Sequence, residues 1–192
     1  MHTLINNAYQ GQFIPAFIAN INRRTVYDAD SPRLLISLFS NETKEVRTRL
    51  FGINAYEMRG SEKDKGKKGR ARLIELIENQ PLIIRPVIKL SENKDNRQTW
   101  GGLRMNWRTG KYGRHLILLY RFQDILPFLT GTQSDLPTSI NQMLINEAHA
   151  KFADYGKRMK GKQASVMQLL EKTEGNPIEA LQSQMQRMMI NA

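Results

Sequence analysis

An arginine and a glutamate eight positions apart, Arg49 and Glu57, bracket the segment Arg-Leu-Phe-Gly-Ile-Asn-Ala-Tyr-Glu, the stretch of this chain best suited to chemistry. A guanidinium grips phosphate through two parallel hydrogen bonds, and a carboxylate takes a proton from water. An arginine at the end of an apolar strand and a glutamate beyond a glycine turn can be aimed into one pocket, which suits phosphate chemistry. Alone, such a pair is more often a solvated ion pair of little consequence. Two further clusters add weight. Upstream, Asp28 and Asp30 stand one residue apart in a tight turn, Val-Tyr-Asp-Ala-Asp. Downstream, Gly-Lys-Tyr-Gly-Arg brings Arg114 from a glycine-flanked loop to the head of the apolar run His115 to Tyr120.

The elements that must position these groups are legible as patterns. Phe13 to Ile21 reads as a strand carried on by Arg23 to Tyr27, with Pro15 arguing for an edge or a strand start. Asp28 to Pro32 is the turn that ends it. Arg33 to Phe39 reads as a second strand. Lys44 to Ile53 reads as a third, with Val46, Thr48 and Leu50 alternating against Arg47 and Arg49. Ser61 is the expected N-cap of a helix to about Asn79 that buries Leu73, Ile74 and Ile77 and stops before Pro81. Gly66 and Gly69 weaken its first half by roughly 1 kcal/mol each relative to Ala, so that half either is loose or packs closely on a neighbour. Leu82 to Leu90 and His115 to Tyr120 supply a fourth and a fifth strand, Gln123 to Leu129 a short helix, and Thr138 to Asp154 a longer one with Ile140, Leu144, Ala148 and Phe152 along one side.

The chain has 192 residues, 29 Lys and Arg against 18 Asp and Glu, and a formal net charge of +11. That excess favours polyanions, nucleic acid first. Arg59 to Arg72 holds seven basic residues and two acids, Lys63, Lys67, Lys68 and Arg70 among them. It reads either as a solvated helical face or as a surface that tracks a phosphate backbone. The loop from Lys94 to Arg114 holds six basic residues against one acid. There Trp100, Arg104, Trp107, Arg108, Lys111 and Tyr112 suit base stacking and phosphate contact. The plainer account folds at least one tryptophan back into the core. With no cysteine there is no disulfide, thiolate metal site or cysteine nucleophile. No run approaches a membrane span, and the first residues lack the features of a secretory signal. A cytoplasmic or particle-associated protein is expected, or one whose leader has been removed.

Residues 161–192 hold three bases and three acids, so they do not belong to the charged face. Asn176-Pro177-Ile178-Glu179 is a helix start, and Ile178, Leu181, Met185, Met188 and Met189 follow at helical spacing. Such a stripe suits either the parent domain or docking to a protein partner through residues 164–190. The chain therefore divides into an N-terminal extension (1–12), a main domain (13–160) and a helical tail (161–192).

Taken in order, Asp-x-Asp, then Arg with Glu eight residues on, then Lys-Tyr-Gly-Arg resembles the staphylococcal nuclease (thermonuclease) family. Ser139 to Leu144 and Ala148-His149-Ala150 extend the likeness, which covers roughly residues 13 to 156. The resemblance implies an α+β protein built on a five-stranded barrel of the oligonucleotide-binding (OB) class with packed helices, followed here by the tail. It implies a metal-dependent nuclease acting on DNA, with RNA as the other substrate class. Glu57 would be the base, and Arg49 and Arg114 would clamp the phosphoryl oxygens. Calcium, or another divalent cation, would sit on Asp30, on Asp28 as ligand or neighbour, on Asn54 and on the Ala55 backbone. Three positions depart from the pattern. Asn54 stands where the family has a second metal-binding aspartate, and Ala55 and Tyr56 stand where it has threonine and proline. An amide brings no charge, so weaker metal binding follows. A nuclease with a retuned metal demand, a nuclease-fold component of a larger assembly such as a virion, and a nucleic-acid-binding module all remain open.

Overall fold

The computed structural model describes residues 13–37, 43–87, 99–100, 103–104, 107–110 and 112–153, with backbone only at 37, 99–100 and 103–104. The extension 1–12, the tail 161–192 with its docking segment 164–190, Lys111, and the side chains of Trp100 and Arg104 lie outside the described residues.

Strong alternation makes the longest strand among the described residues, Thr43–Leu50 (β3). Val46, Thr48 and Leu50 are buried, while Arg47 and Arg49 point away from the core. This is what a strand with one covered face requires. Around it run Ile14–Phe17 (β1), Arg33–Ser37 (β2), Leu82–Pro86 (β5) and His115–Arg121 (β8). The short pairs Ile53–Ala55 (β4) with Ala150–Phe152 (β9), and Thr99–Trp100 (β6) with Leu103–Arg104 (β7), stand apart. Five strands close into a ring in the order β1-β2-β3-β8-β5 and back to β1. All contacts in the ring are antiparallel except β3 with β8, which run parallel with Thr48 opposite His115 and Leu50 opposite Ile117.

The ring and the helices share one core, in which Ile14, Leu34, Ile36, Leu50, Ile84, Ile117 and Leu119 meet Leu73, Ile77, Ile140 and Leu144. The helices are Lys63–Ile77 (α1), entered through a 3-10 turn at Gly60–Glu62, then Phe122–Leu129 (α2) and Ile140–Asn146 (α3). The described residues form a mixed α+β protein in which a five-stranded sheet closes on itself against three helices. No helix among the described residues is long and apolar enough to cross a membrane.

On α1 the buried positions are Gly66, Gly69, Leu73, Leu76 and Ile77. They form one helical stripe, apolar side chains in its second half and bare backbone in its first. The glycines are where other main chains cross. A Cβ on Gly66 would lie 2.5 Å from the Glu57 carbonyl oxygen and 2.9 Å from that of Tyr56. One on Gly69 would lie 2.4 Å from the His149 carbonyl and 3.2 Å from the Ala29 methyl. Of the two readings of this half helix, close packing is the observed one.

Several boundaries differ from the expectations. β1 ends at Phe17, and Asn22 to Thr25 form a turn in which the Asn22 side chain accepts from the backbone of Arg24 and Thr25, so Arg23 to Tyr27 does not prolong the strand. The third strand breaks at Gly52, whose φ of 80° turns the chain before β4. Ser61 is not a cap. Gly60, at φ 66°, starts the 3-10 turn, and Glu62 precedes α1 without a side-chain capping bond. Leu76 rather than Ile74 completes the buried face of α1. The largest difference is at the far end, where the helix expected to Asp154 stops at Asn146. Ala148 adopts φ 57°, which no right-handed helix tolerates, and residues 150 to 152 become β9. Ala148 and Phe152 therefore do not share a helix face, and Phe152 is 61% exposed.

Candidate functional site

Each candidate residue reaches the site by a different element. The parallel register of β3 and β8 sets Arg49 opposite Leu116, two residues past Arg114. That pairing makes neighbours of two guanidinium groups 65 positions apart in the chain. The loop before β2 is closed by a bridge between Val26 and Pro32, and it carries Asp28 and Asp30. Arg70 of α1 ties this loop to the helix by donating to the Val26 carbonyl at 2.7 Å. Beyond the Gly52 turn, β4 brings Asn54 and Ala55, and Glu57 follows two residues later.

These residues line one open pocket of about 460 Å³: Asp28, Asp30, Arg49, Asn54, Ala55, Glu57 and Arg114, together with Tyr27, Tyr56, Met58, Glu62 and Lys151. Asp30 is its buried hub, at 3% exposure. Its Oδ1 accepts from Arg49 Nη1 at 2.9 Å and from the Ser31 hydroxyl at 2.6 Å, and its Oδ2 accepts from the Ala55 amide at 2.7 Å. Arg49 also donates to the Asn54 amide oxygen at 2.5 Å. Arg114 donates to Ser31 at 2.5 Å and lies over the Tyr112 ring, while its buried Nε has no hydrogen-bond partner among the described residues. Glu57 is exposed at the pocket, and its carboxylate accepts no hydrogen bond from the described residues.

Asp28 accepts from the Asp30 amide at 3.2 Å. Burial, and secondly the charge of Asp30, hold its carboxyl above the usual aspartate range. Two carboxylates are pressed together where an added positive charge relieves both. In donor type, Asp30, Asp28, the Asn54 amide and the Ala55 backbone fit a hard, oxygen-bound divalent cation. Such a set is poor in charge, because no cluster of three His, Cys, Asp or Glu side chains forms among the described residues, and Asp30 already accepts three hydrogen bonds.

The residues expected to meet nucleic acid divide. Lys63, Lys67 and Lys68 are exposed on α1, and Tyr112 is 62% exposed beside Arg114. Arg70 is partly buried and spends its Nε on the loop that bears the aspartates. Arg108 is partly buried, and its amide bonds the Val87 carbonyl. Trp107 is a correction: it is 3% exposed, sits in the main core and meets His115 edge to face, so no base can stack on it. Trp107 stands two residues before the bridge between Thr109 and His115, and turning its indole inward takes a large apolar surface out of water.

Tyr56, Glu62 and Lys151 line the pocket without having been expected there. Lys151 arrives because β9 pairs with β4, which sets it directly opposite Asn54. Its ammonium lies 4.9 Å from the centre of the Tyr56 ring and is bonded to Glu62, whose carboxyl it holds below the usual range. The alternation of Ala150, Lys151 and Phe152 was the available signal. It is too short to outweigh a helical pattern. Comparison with known proteins adds no relative: neither a family model nor a curated protein matches this chain.

Proposed function

We propose that this chain is a metal-dependent nuclease that hydrolyses phosphodiester bonds in DNA, with RNA as the other substrate class. The observation that carries the reading is the meeting of Arg49, Arg114 and Glu57, from three separate stretches, at one pocket that also holds Asp28 and Asp30. The closed five-stranded sheet, with strands three and five of the ring parallel and a helix after the third, supports an OB-class barrel of the kind found in staphylococcal nuclease.

In this reading the exposed Glu57 carboxylate takes a proton from a water molecule. The water oxygen bonds to phosphorus as the bond from phosphorus to the leaving ester oxygen breaks. Arg114 and Arg49, which both line the pocket, stabilise the negative charge that gathers on the remaining phosphoryl oxygens. The leaving oxygen is protonated by water in the open pocket. A calcium or other divalent ion held by Asp30, Asp28, Asn54 and Ala55 would add Lewis acidity and orient the attacking water. The exposed Lys63, Lys67 and Lys68 extend the positive surface along α1 for the flanking backbone. A cytoplasmic or particle-associated setting, and a protein partner for residues 164–190, belong to the same proposal.

The engagement of Arg49 by both Asp30 and Asn54 favours a second reading, in which the cluster is a structural ion pair and the barrel binds nucleic acid or serves an assembly without turnover. Digestion of plasmid and single-stranded substrates separates the two. Cleavage with calcium that stops on chelation supports the nuclease. Salt-sensitive binding without cleavage in any divalent metal overturns it in favour of the binding module.

A further inference from the structure

The peptide that carries Glu57 is held from two sides. On one side, its carbonyl oxygen lies against the bare backbone of α1 at Gly66. On the other, its amide donates to Glu62 Oε2 at 3.2 Å. The second oxygen of the same carboxylate, Oε1, receives the Lys151 ammonium. Glu62 thus bridges the amide of the candidate base and a lysine delivered by β9. We propose that Glu62 is a positioning residue of this site: anchored by Lys151, it clamps the Glu57 peptide so that the exposed carboxylate faces the attacking water.

Resting on Glu57 as the base, the proposal gives that flexible residue a fixed root. An unanchored glutamate after a three-residue strand has the freedom of its own backbone and side chain. Fixing the backbone removes most of what would otherwise be lost on reaching the reactive geometry. The clamp also explains why a site assembled by β3, β8 and the Asp28 loop involves β9 at all. Lys151 stands opposite Asn54 and leans on the Tyr56 ring, so its ammonium is steered toward Glu62 by strand pairing and by the aromatic face together. Lys65 lies 5.4 Å from the centre of the same ring and acts on Glu62 through its charge alone, and less than Lys151 does.

The test uses the full chain with Glu62→Ala, Glu62→Gln and Lys151→Met, each compared with wild type by amide hydrogen exchange resolved at Glu57 and by steady-state cleavage of a single-stranded oligonucleotide. Glu62→Ala is expected to speed exchange at the Glu57 amide by about tenfold, the worth of one hydrogen bond to a charged acceptor. It is also expected to lower kcat by roughly ten- to a hundredfold, with KM within about twofold. Glu62→Gln keeps an oxygen for the amide and restores most of the protection and most of kcat, which a merely electrostatic role of Glu62 would not allow. Lys151→Met changes both quantities in the same direction as Glu62→Ala and by less. Unchanged Glu57 exchange in Glu62→Ala overturns the clamp, and so does a loss of kcat that glutamine does not restore. If wild type cleaves no substrate, the nuclease reading falls, and the exchange data still decide whether Glu62 holds that peptide.

Discussion

Replacing Gly66 by alanine sets two large and opposite effects against each other. In an ordinary helix interior, glycine to alanine stabilises by about 1 kcal/mol. At this position the new Cβ would lie 2.5 Å from the Glu57 carbonyl oxygen and 2.9 Å from that of Tyr56. An ordinary carbon to oxygen contact needs about 3.3 Å, so the peptides must part by roughly 0.8 Å. Both partners are main chain, α1 on one side and the segment after β4 on the other, and neither can swing aside as a side chain would. Overpacking of this kind costs about 1–3 kcal/mol, and the rigidity of both partners puts it at the upper end. The net is a loss of about 2 kcal/mol, or about 4–8 °C in melting temperature for a chain of this size. Because the segment pushed away bears Glu57, a displacement approaching 1 Å also lowers turnover by roughly a hundredfold. Thermal unfolding by circular dichroism and single-strand cleavage measure the two effects. Lys67→Ala, next along the helix and exposed, is the control and should stay within about 0.5 kcal/mol of wild type. A Gly66→Ala chain that melts at or above the wild-type temperature would show that helix propensity wins, and that the close crossing does not hold Glu57.

Asn141, at 3% exposure, accepts from the Leu119 amide and donates to the Phe51 and Ile117 carbonyls, stitching α3 to β8 and to the turn after β3. Asn141→Ala should cost about 2–4 kcal/mol in chemical denaturation by orphaning those groups; a loss below 1 kcal/mol would contradict it. Asp28 has its carboxyl raised in the folded state, so its ionised form costs stability at neutral pH and the cost disappears once both states are protonated. Asp28→Asn is therefore expected to raise the melting temperature at pH 7 without cation, with the gain vanishing below about pH 3.8, the ordinary aspartate value; an equal gain at every pH would refute the cause. Arg114→Ala should lower kcat by roughly a hundredfold or more while leaving the fold intact. Asn54→Asp should lower the cation concentration for half-maximal cleavage, and calorimetric titration with calcium should show the same tightening in the absence of substrate.

The amino-acid sequence by itself determined the local pieces. Alternation within Lys44 to Ile53 marked a strand with Arg47 and Arg49 on its outer side, though not its break at Gly52. The apolar spacing of Leu73 and Ile77 marked the buried face of α1, and the types and order of Asp28, Asp30, Arg49, Glu57 and Arg114 singled out residues that line one pocket. Such signals act over a few residues, and they stay readable wherever local preference and global packing agree. The tertiary structure decided the rest. Arg114 lies beside Arg49 because β8 closes the ring parallel to β3. Trp107 turned inward because the core had room for its ring. The chain after α3 became a strand rather than more helix because its edge could pair with β4, and that pairing, with Ala148 in a left-handed conformation, set Lys151 at the pocket. A pairing between residues nearly a hundred positions apart leaves no local periodicity, since its stabilisation exists only once both strands are already in place.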